Sequence, residues 1–236
     1  MLFLCLGFQS QSQVLITLLL GDKLNSDQLE FGLEGGVNIS TLSGLEANSP
    51  LTKFNIGFYF DIKLKESWYL YTGCLVKSNL GVAKLTDTDL GVLGATQYQG
   101  DVAGVMVEGE YDQVMKYFLV PALMKYRWDN NFYVEAGPQF GLMYKSWVNF
   151  DSDIEGRDAT IKEYNTDDLN SFDVGLSGGV GYKLFAQNGW TIGLRYYYGF
   201  TDVYKNIEGS NNQSLFVKLN IPIGAGKAKE KSKTKP

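Results

Sequence analysis

The chain has 236 residues, no histidine and two cysteines, with 44% apolar and 14% aromatic residues and a formal net charge of −5. Without an imidazole it lacks the commonest general base, the Ser-His-Asp arrangement and the usual transition-metal ligand, which weighs against an enzyme. No run of about 18 apolar residues follows the N-terminal segment, which excludes a transmembrane helix.

Taken in chain order, residues 1–12 (MLFLCLGFQSQS) carry the apolar core and small-residue end of a signal peptide, with Ser10 and Ser12 at the −3 and −1 positions when the cut precedes Gln13. Leu4 stands before Cys5, where a lipoprotein site needs a small residue, so lipidation is rejected. Residues 13–28 form an N-terminal periplasmic segment, whose stretch from Val14 to Leu20 predicts a short interfacial helix, with remaining signal sequence as the alternative. From Leu29 onward, eight segments alternate apolar and polar residues, at about 29–43, 52–64, 68–79, 116–128, 132–148, 172–185, 190–204 and 213–223. Their connections alternate in length. Those at 65–67, 129–131 and 186–189 are tight turns, whereas 44–51, 80–115, 149–171 and 205–212 are longer and polar. This pattern predicts an all-β fold over 29–224: an eight-stranded antiparallel up-and-down transmembrane β-barrel with short periplasmic turns and longer extracellular loops. Residues 225–236 follow as a disordered basic tail; the five lysines and one glutamate of GKAKEKSKTKP give it +4, leaving −9 on the rest.

Alternation alone leaves open whether the apolar face meets lipid outside or a ligand inside, so an exported, soluble lipocalin-like carrier is a mirror-image reading of the same string. Two features favour the membrane. Trp68, Trp128 and Trp190 flank the three tight turns, and Trp147 lies at the other end, as aromatic girdles at both edges of a bilayer would. The apolar face then comprises Phe54 to Ile62 on the second strand, Phe118 to Tyr126 on the fourth, Phe172 to Tyr182 on the sixth and Leu215 to Ile223 on the eighth. The other face carries Glu34, Asn38, Tyr59, Asp61, Lys63, Lys125, Arg127, Glu135, Gln139, Asp173, Lys183, Arg195 and Lys218. With both signs nearly balanced, these side chains should fill an eight-stranded lumen rather than line an open channel. The third strand is ambiguous, because Tyr69 and Tyr71 compete with Leu70 and Thr72 for the inner face. Pro121 and Pro138, inside strands, favour bulges there.

Four segments carry a resemblance: EFGLEGGVNIST at 30–41, YFLVPALMKYRW at 117–128, FYVEAGPQFGLM at 132–143 and FDVGLSGGVGYKL at 172–184. In these the chain resembles the PorT-like family of outer-membrane β-barrels. The resemblance implies a barrel in the Gram-negative outer membrane, with surrounding lipid as its partner, and a link to secretion with a periplasmic or secretion-machinery protein. The last strand departs from the usual terminal aromatic, ending IPIG before the basic tail.

Few groups offer chemistry. DSDIEGRDATIKE at 151–163 places Asp151, Asp153, Glu155 and Gly156 on a calcium-loop template, but Lys162 stands where the bidentate glutamate belongs; an acidic, solvated loop is the stronger reading. GLSGGVG at 175–181 lacks the Lys-Ser/Thr of a phosphate loop and lies within a strand. The sequence therefore predicts no catalytic, cofactor-binding or metal site, no cofactor, no nucleic-acid partner and a monomer. The expected role is structural, adhesive or secretion-linked, with a small-solute pore as the competing membrane function.

Overall fold

Alternation from Leu29 onward becomes a closed sheet in the computed structural model, which describes residues 26, 28–98, 100–102, 105–154, 157–184 and 189–223. The elements are β1 (Leu29–Leu42), β2 (Ser49–Lys65), β3 (Trp68–Ala83), helix α1 (Asp87–Leu93), β4 (Gly100–Val102), β5 (Val105–Val107), β6 (Glu110–Arg127), β7 (Phe132–Ile154), β8 (Arg157–Tyr164), β9 (Phe172–Lys183), β10 (Thr191–Gly199) and β11 (Asn212–Pro222). Eight of the strands close a ring in the order β1-β2-β3-β6-β7-β9-β10-β11, and β11 returns to pair antiparallel with β1 from Gly32↔Pro222 to Leu42↔Asn212. Closure removes both sheet edges, which the hydrocarbon region requires. β8 lies outside the ring as a hairpin partner for the far end of β7, from Trp147↔Tyr164 to Ile154↔Arg157. The signal-peptide reading of 1–12, the helix within 13–28 and the tail 225–236 fall outside the described residues, apart from Ser26 and Gln28.

Burial decides which face is inside. Phe54, Ile56, Phe118, Val120, Met124, Phe172, Leu176, Val180 and Val217 are exposed on the outer wall. Glu34, Asp61, Lys125, Glu135, Gln139, Asp173, Lys183, Arg195 and Lys218 are buried in the lumen. The lipocalin-like carrier required Phe54 to Ile62 to point inward, and that reading is corrected: the apolar face points out. Lys63, at the turn end, is exposed, and Arg127 is half-buried over the Tyr69 ring, 4.2 Å from its centroid.

The turn end is tight. β2 and β3 join through Glu66 and Ser67, with Glu66 at φ 45°. Between β6 and β7, Asn131 takes φ 68°, and the Trp128 N–H donates to the Phe132 carbonyl at 2.9 Å. Asparagine is among the few residues that adopt this left-handed region at low cost. Trp68, Trp128 and Trp190 are exposed around this rim as expected, but Trp147 is only 7% exposed and forms no part of a girdle. It packs with Leu51 and Val114, edge-on to Tyr164. At the loop end, Phe54, Tyr144, Phe172, Tyr198 and Phe200 are the exposed aromatics instead.

The third strand's ambiguity has a cause. Tyr71, Leu75, Ser78, Leu80 and Val82 are buried, while Val76 and Lys77 are both exposed. The ladder with β6 shifts between Leu75 and Ser78, so one extra residue reverses the parity halfway along the strand. A second bulge lies at Tyr144, where the β6–β7 register jumps from Lys116↔Lys145 to Tyr117↔Met143. The prolines form none: pairing keeps one register from Pro121↔Gln139 to Met124↔Ala136 and runs unbroken through Pro138↔Leu176. The missing N–H of proline costs ladder bonds locally without inserting a residue.

Candidate functional site

Near the turn end, eight charged side chains fill the lumen. Glu135 is at the centre: its Oε1 accepts from Arg195 Nε at 2.9 Å and Lys218 Nζ at 2.6 Å, and its Oε2 lies 3.8 Å from Lys125 Nζ. Lys125 also donates to Asp61 at 2.9 Å, and Arg195 Nη1 lies 3.4 Å from Glu34. Toward the periplasm, Lys183 pairs with Glu30, which also accepts from the Tyr59 hydroxyl at 3.0 Å. Glu30, Glu34, Asp61 and Glu135 balance Lys125, Lys183, Arg195 and Lys218, so the layer is neutral.

Tyrosines fill the space between the ions. The Tyr71 hydroxyl donates to Glu34 and accepts from Asn220 Nδ2 at 3.0 Å. Lys125, Arg195 and Lys218 all lie over the Tyr71 ring, at 4.2, 4.7 and 4.1 Å from its centroid. Cations over a ring face gain electrostatically, and more when water is excluded. Inward glycines make room: a Cβ on Gly181 or Gly193 would strike the Tyr133 hydroxyl, and one on Gly32 would lie 2.6 Å from the Tyr59 ring. That accounts for Gly181 of GLSGGVG without a ligand, and a Cβ on Gly175 would likewise lie 2.7 Å from the Tyr197 ring.

Toward the loop end the lumen becomes apolar. Asn212 donates to Asp173 at 2.8 Å and to the Tyr117 hydroxyl at 3.1 Å. Around and above that pair Leu75, Met115, Leu119, Met143 and Phe216 belong to one buried cluster with Leu90 of α1 and with Leu169, Val203 and Tyr204 of the loops. The loops thus enter the barrel mouth as part of its core. Buried Gln113 ties them down: its Nε2 donates to Ser146 at 2.7 Å, and its Oε1 accepts from Asn165 and from the Tyr204 hydroxyl, each at 2.9 Å. Burial pushes the Tyr204 phenol well above its ordinary pKa, so it stays a donor.

Helix α1 is anchored equally firmly. Thr86 and Asp89 form a reciprocal capping box, and Gly94 closes the other end with φ 65°. The buried Asp89 carboxylate also accepts the N–H groups of Glu46 at 2.7 Å and Ala47 at 3.0 Å, fixing α1 to the β1–β2 loop. The Thr-Asp-Thr-Asp string at 86–89 was a readable helix-start signal that strand patterning passes over. A cleft of about 230 Å³ opens outward between α1 and the last loop, lined by Gly91, Asn165, Asp168, Tyr204, Asn206 and Ile207 among others.

The calcium-like segment does not wind as a loop. β7 and β8 pair through it, and Asp151 accepts from the Thr160 hydroxyl at 2.6 Å, while Glu155 and Gly156 lie outside the described residues. Among the described residues no cluster of acids and cysteines could hold a metal.

A family model for the outer membrane protein beta-barrel domain matches residues 9–205. The chain belongs to that family. This outer-membrane barrel is also similar, at low identity, to solved structures. Ail of Yersinia pestis, in complex with the heparin analogue sucrose octasulfate, is 11% identical with a TM-score of 0.40, over 83% of this chain and 99% of that one. Neisserial surface protein A is 10% identical at 0.37, over 81% and 96%, and OprG of Pseudomonas aeruginosa 10% identical at 0.35, over 82% and 91%. No curated protein matches. The outer-membrane barrel therefore lies in the lipid of a Gram-negative outer membrane.

Proposed function

We propose that this outer-membrane barrel is a closed, non-enzymatic, monomeric scaffold that presents an ordered surface outside the cell, in an adhesive or structural role. The observation that carries the reading is the shared core of lumen and loops: Leu90 and Tyr204, from the outer loops, are buried in one cluster with Leu119 and Phe216 of the barrel wall. Below them the neutral ion layer occupies the lumen with four acids paired to four bases, although Asp61 Oδ1, Glu135 Oε2 and Arg195 Nη2 are buried without a hydrogen-bond partner. A small-solute pore would need a water path through both layers. In planar bilayers, purified full-length protein should give no stable single-channel currents; large, long-lived openings would overturn the closed reading.

The motifs at 117–128 and 132–143 support a second, finer reading, membership of the PorT-like group with a link to secretion. On that reading the partner is a periplasmic or secretion-machinery protein, and a strain lacking the barrel should lose export of surface proteins. Normal export in that strain would remove the secretion role and leave the display scaffold.

A further inference from the structure

The outward side chains change abruptly at one height on one side of the barrel. On β6 they run Met124, Ala122, Val120, Phe118 and then Lys116; on β7 they run Phe140, Leu142, Tyr144 and, after the bulge, Lys145. From Trp128 at the turn rim to Phe118 is ten residues, and strands rising about 3.3 Å per residue at a tilt of about 40° cross about 25 Å in that length. This matches the apolar band of an outer-membrane barrel, so Lys116 and Lys145 emerge at headgroup level on the outer side. Lys77, turned outward by the β3 bulge, stands near the same height, and Lys162 of β8 lies opposite Asn149 just beyond.

These four lysines are arranged unlike solvated surface charges. Lys116 and Lys145 are direct cross-strand partners, an arrangement of like charges that costs energy unless an anion joins them. Three of the ammonium groups are drawn together by ring faces: Lys116 and Lys162 lie 5.4 and 5.3 Å from the Trp147 centroid, and Lys145 lies 4.4 Å from that of Tyr164. Leu51, Val114 and Tyr164 pack against the indole, which is why an outward tryptophan is buried. Among the described residues, none of the four makes an ion pair. The nearest outward acids, Asp112 on the rung of Lys162 and Asp151 one rung beyond, are engaged elsewhere. Asp112 accepts the Lys84 N–H at 3.2 Å, and Asp151 accepts from Thr160 and Asn149.

We propose that Lys116, Lys145 and Lys162 bind the phosphate of a lipid headgroup in the outer leaflet. A phosphomonoester supplies the missing anion at the right height, and its acyl chains lie against Phe118 and Tyr144, whose rings stack at 4.7 Å. The commitment is to membrane lipid, because the site opens sideways above the apolar wall.

The test uses purified full-length protein in detergent, incubated with diphosphoryl lipid A or with the same glycolipid stripped of phosphate, and native mass spectrometry of what is retained. Wild type should retain the phosphorylated form between about ten- and a hundredfold better, and Lys116→Gln/Lys145→Gln/Lys162→Gln should lose that preference, the scale expected for three cations near an anionic surface. The corresponding arginine triple should keep it, and Lys84→Gln/Lys205→Gln, which removes two charges near the loops, should match wild type. Heat-modifiable gel mobility verifies that each variant is folded. Equal retention of both glycolipids by wild type, or an unchanged preference in the folded glutamine triple, overturns the site. Displacement of the glycolipid by millimolar inorganic phosphate would overturn the lipid assignment in favour of free phosphate.

Discussion

Replacing Glu135 with Gln removes the one carboxylate that faces three cations, at 2.6, 2.9 and 3.8 Å, and leaves a layer of three acids against four bases. The glutamine carbonyl can still accept one hydrogen bond, so shape is nearly conserved and the change is chiefly electrostatic. Arg195, with its side chain fully buried, keeps only the 3.4 Å contact with Glu34, and Lys218 loses the only ion pair it makes among the described residues. Breaking a buried pair in this way costs about 3–5 kcal/mol, because the stranded cation keeps its desolvation penalty. The measurement is urea unfolding of the barrel refolded in lipid vesicles, followed by tryptophan fluorescence. A second variant isolates the cause: Glu135→Gln/Lys218→Met restores neutrality and should recover a good part of the loss, since an uncharged layer of similar volume can be as stable as an ionic one. If Glu135→Gln lies within about 1 kcal/mol of wild type, water reaches the layer freely and the closed lumen is wrong.

Phe58→Arg puts a charge on the outer wall of β2 near mid-membrane and should cost about 2–4 kcal/mol of folding in vesicles; a cost near zero would mean the wall does not face lipid. In intact cells without native Cys74, a cysteine at the exposed Asp167 should react with an impermeant label and one at Asn130 should not; the reverse pattern would invert the topology. Asp89→Ala removes the carboxylate half of the α1 capping box and its two bonds to the β1–β2 loop, so residues 86–94 should exchange amide hydrogens faster by about 1–2 kcal/mol in opening energy, with the barrel strands unchanged. Deleting residues 226–236 should leave refolding unaltered, because β11 ends at Pro222; reduced yield would give the basic tail a part in assembly.

Much of the ring was legible because one physical constraint repeats in every strand. Period-two alternation, the three tight turns and the tryptophans beside them are enough to place Glu34, Asp61, Lys125, Glu135, Arg195 and Lys218 on one face, and the closed sheet brings them together. What alternation cannot carry is an insertion. Val76–Lys77 and Tyr144 each add a residue that reverses parity, and a reader counting in twos loses the face of Ser78 or Lys145. The loop end obscured more. Trp147 reads as a girdle residue from its distance along the strand, yet Leu51, Val114 and Tyr164 of β8 cover it, and β8 itself lies in a stretch whose acids suggest a solvated loop. Nor could spacing reveal that Leu90 and Tyr204, far apart in sequence, share one core.

That shared core links the two halves of the molecule energetically. A lumen this narrow is filled by side chains, and the filling differs with depth: mutually neutralised ions lie near the periplasm, hydrocarbon beneath the outer loops. Ions in the lower layer draw their partners from the wall itself, so that layer is complete when the ring closes. The upper layer is not complete on the same terms, since Leu80, Met115 and Met143, toward the mouth, would face water until Leu90, Val203 and Tyr204 join their cluster. Burial of that apolar surface drives the loops into place, and Gln113 and Asp89 then select one arrangement through hydrogen bonds that fit no other. The outer surface is consequently as rigid as the barrel mouth beneath it. Such coupling favours recognition by a pre-formed face, and it disfavours loops that must part on every passage of a solute.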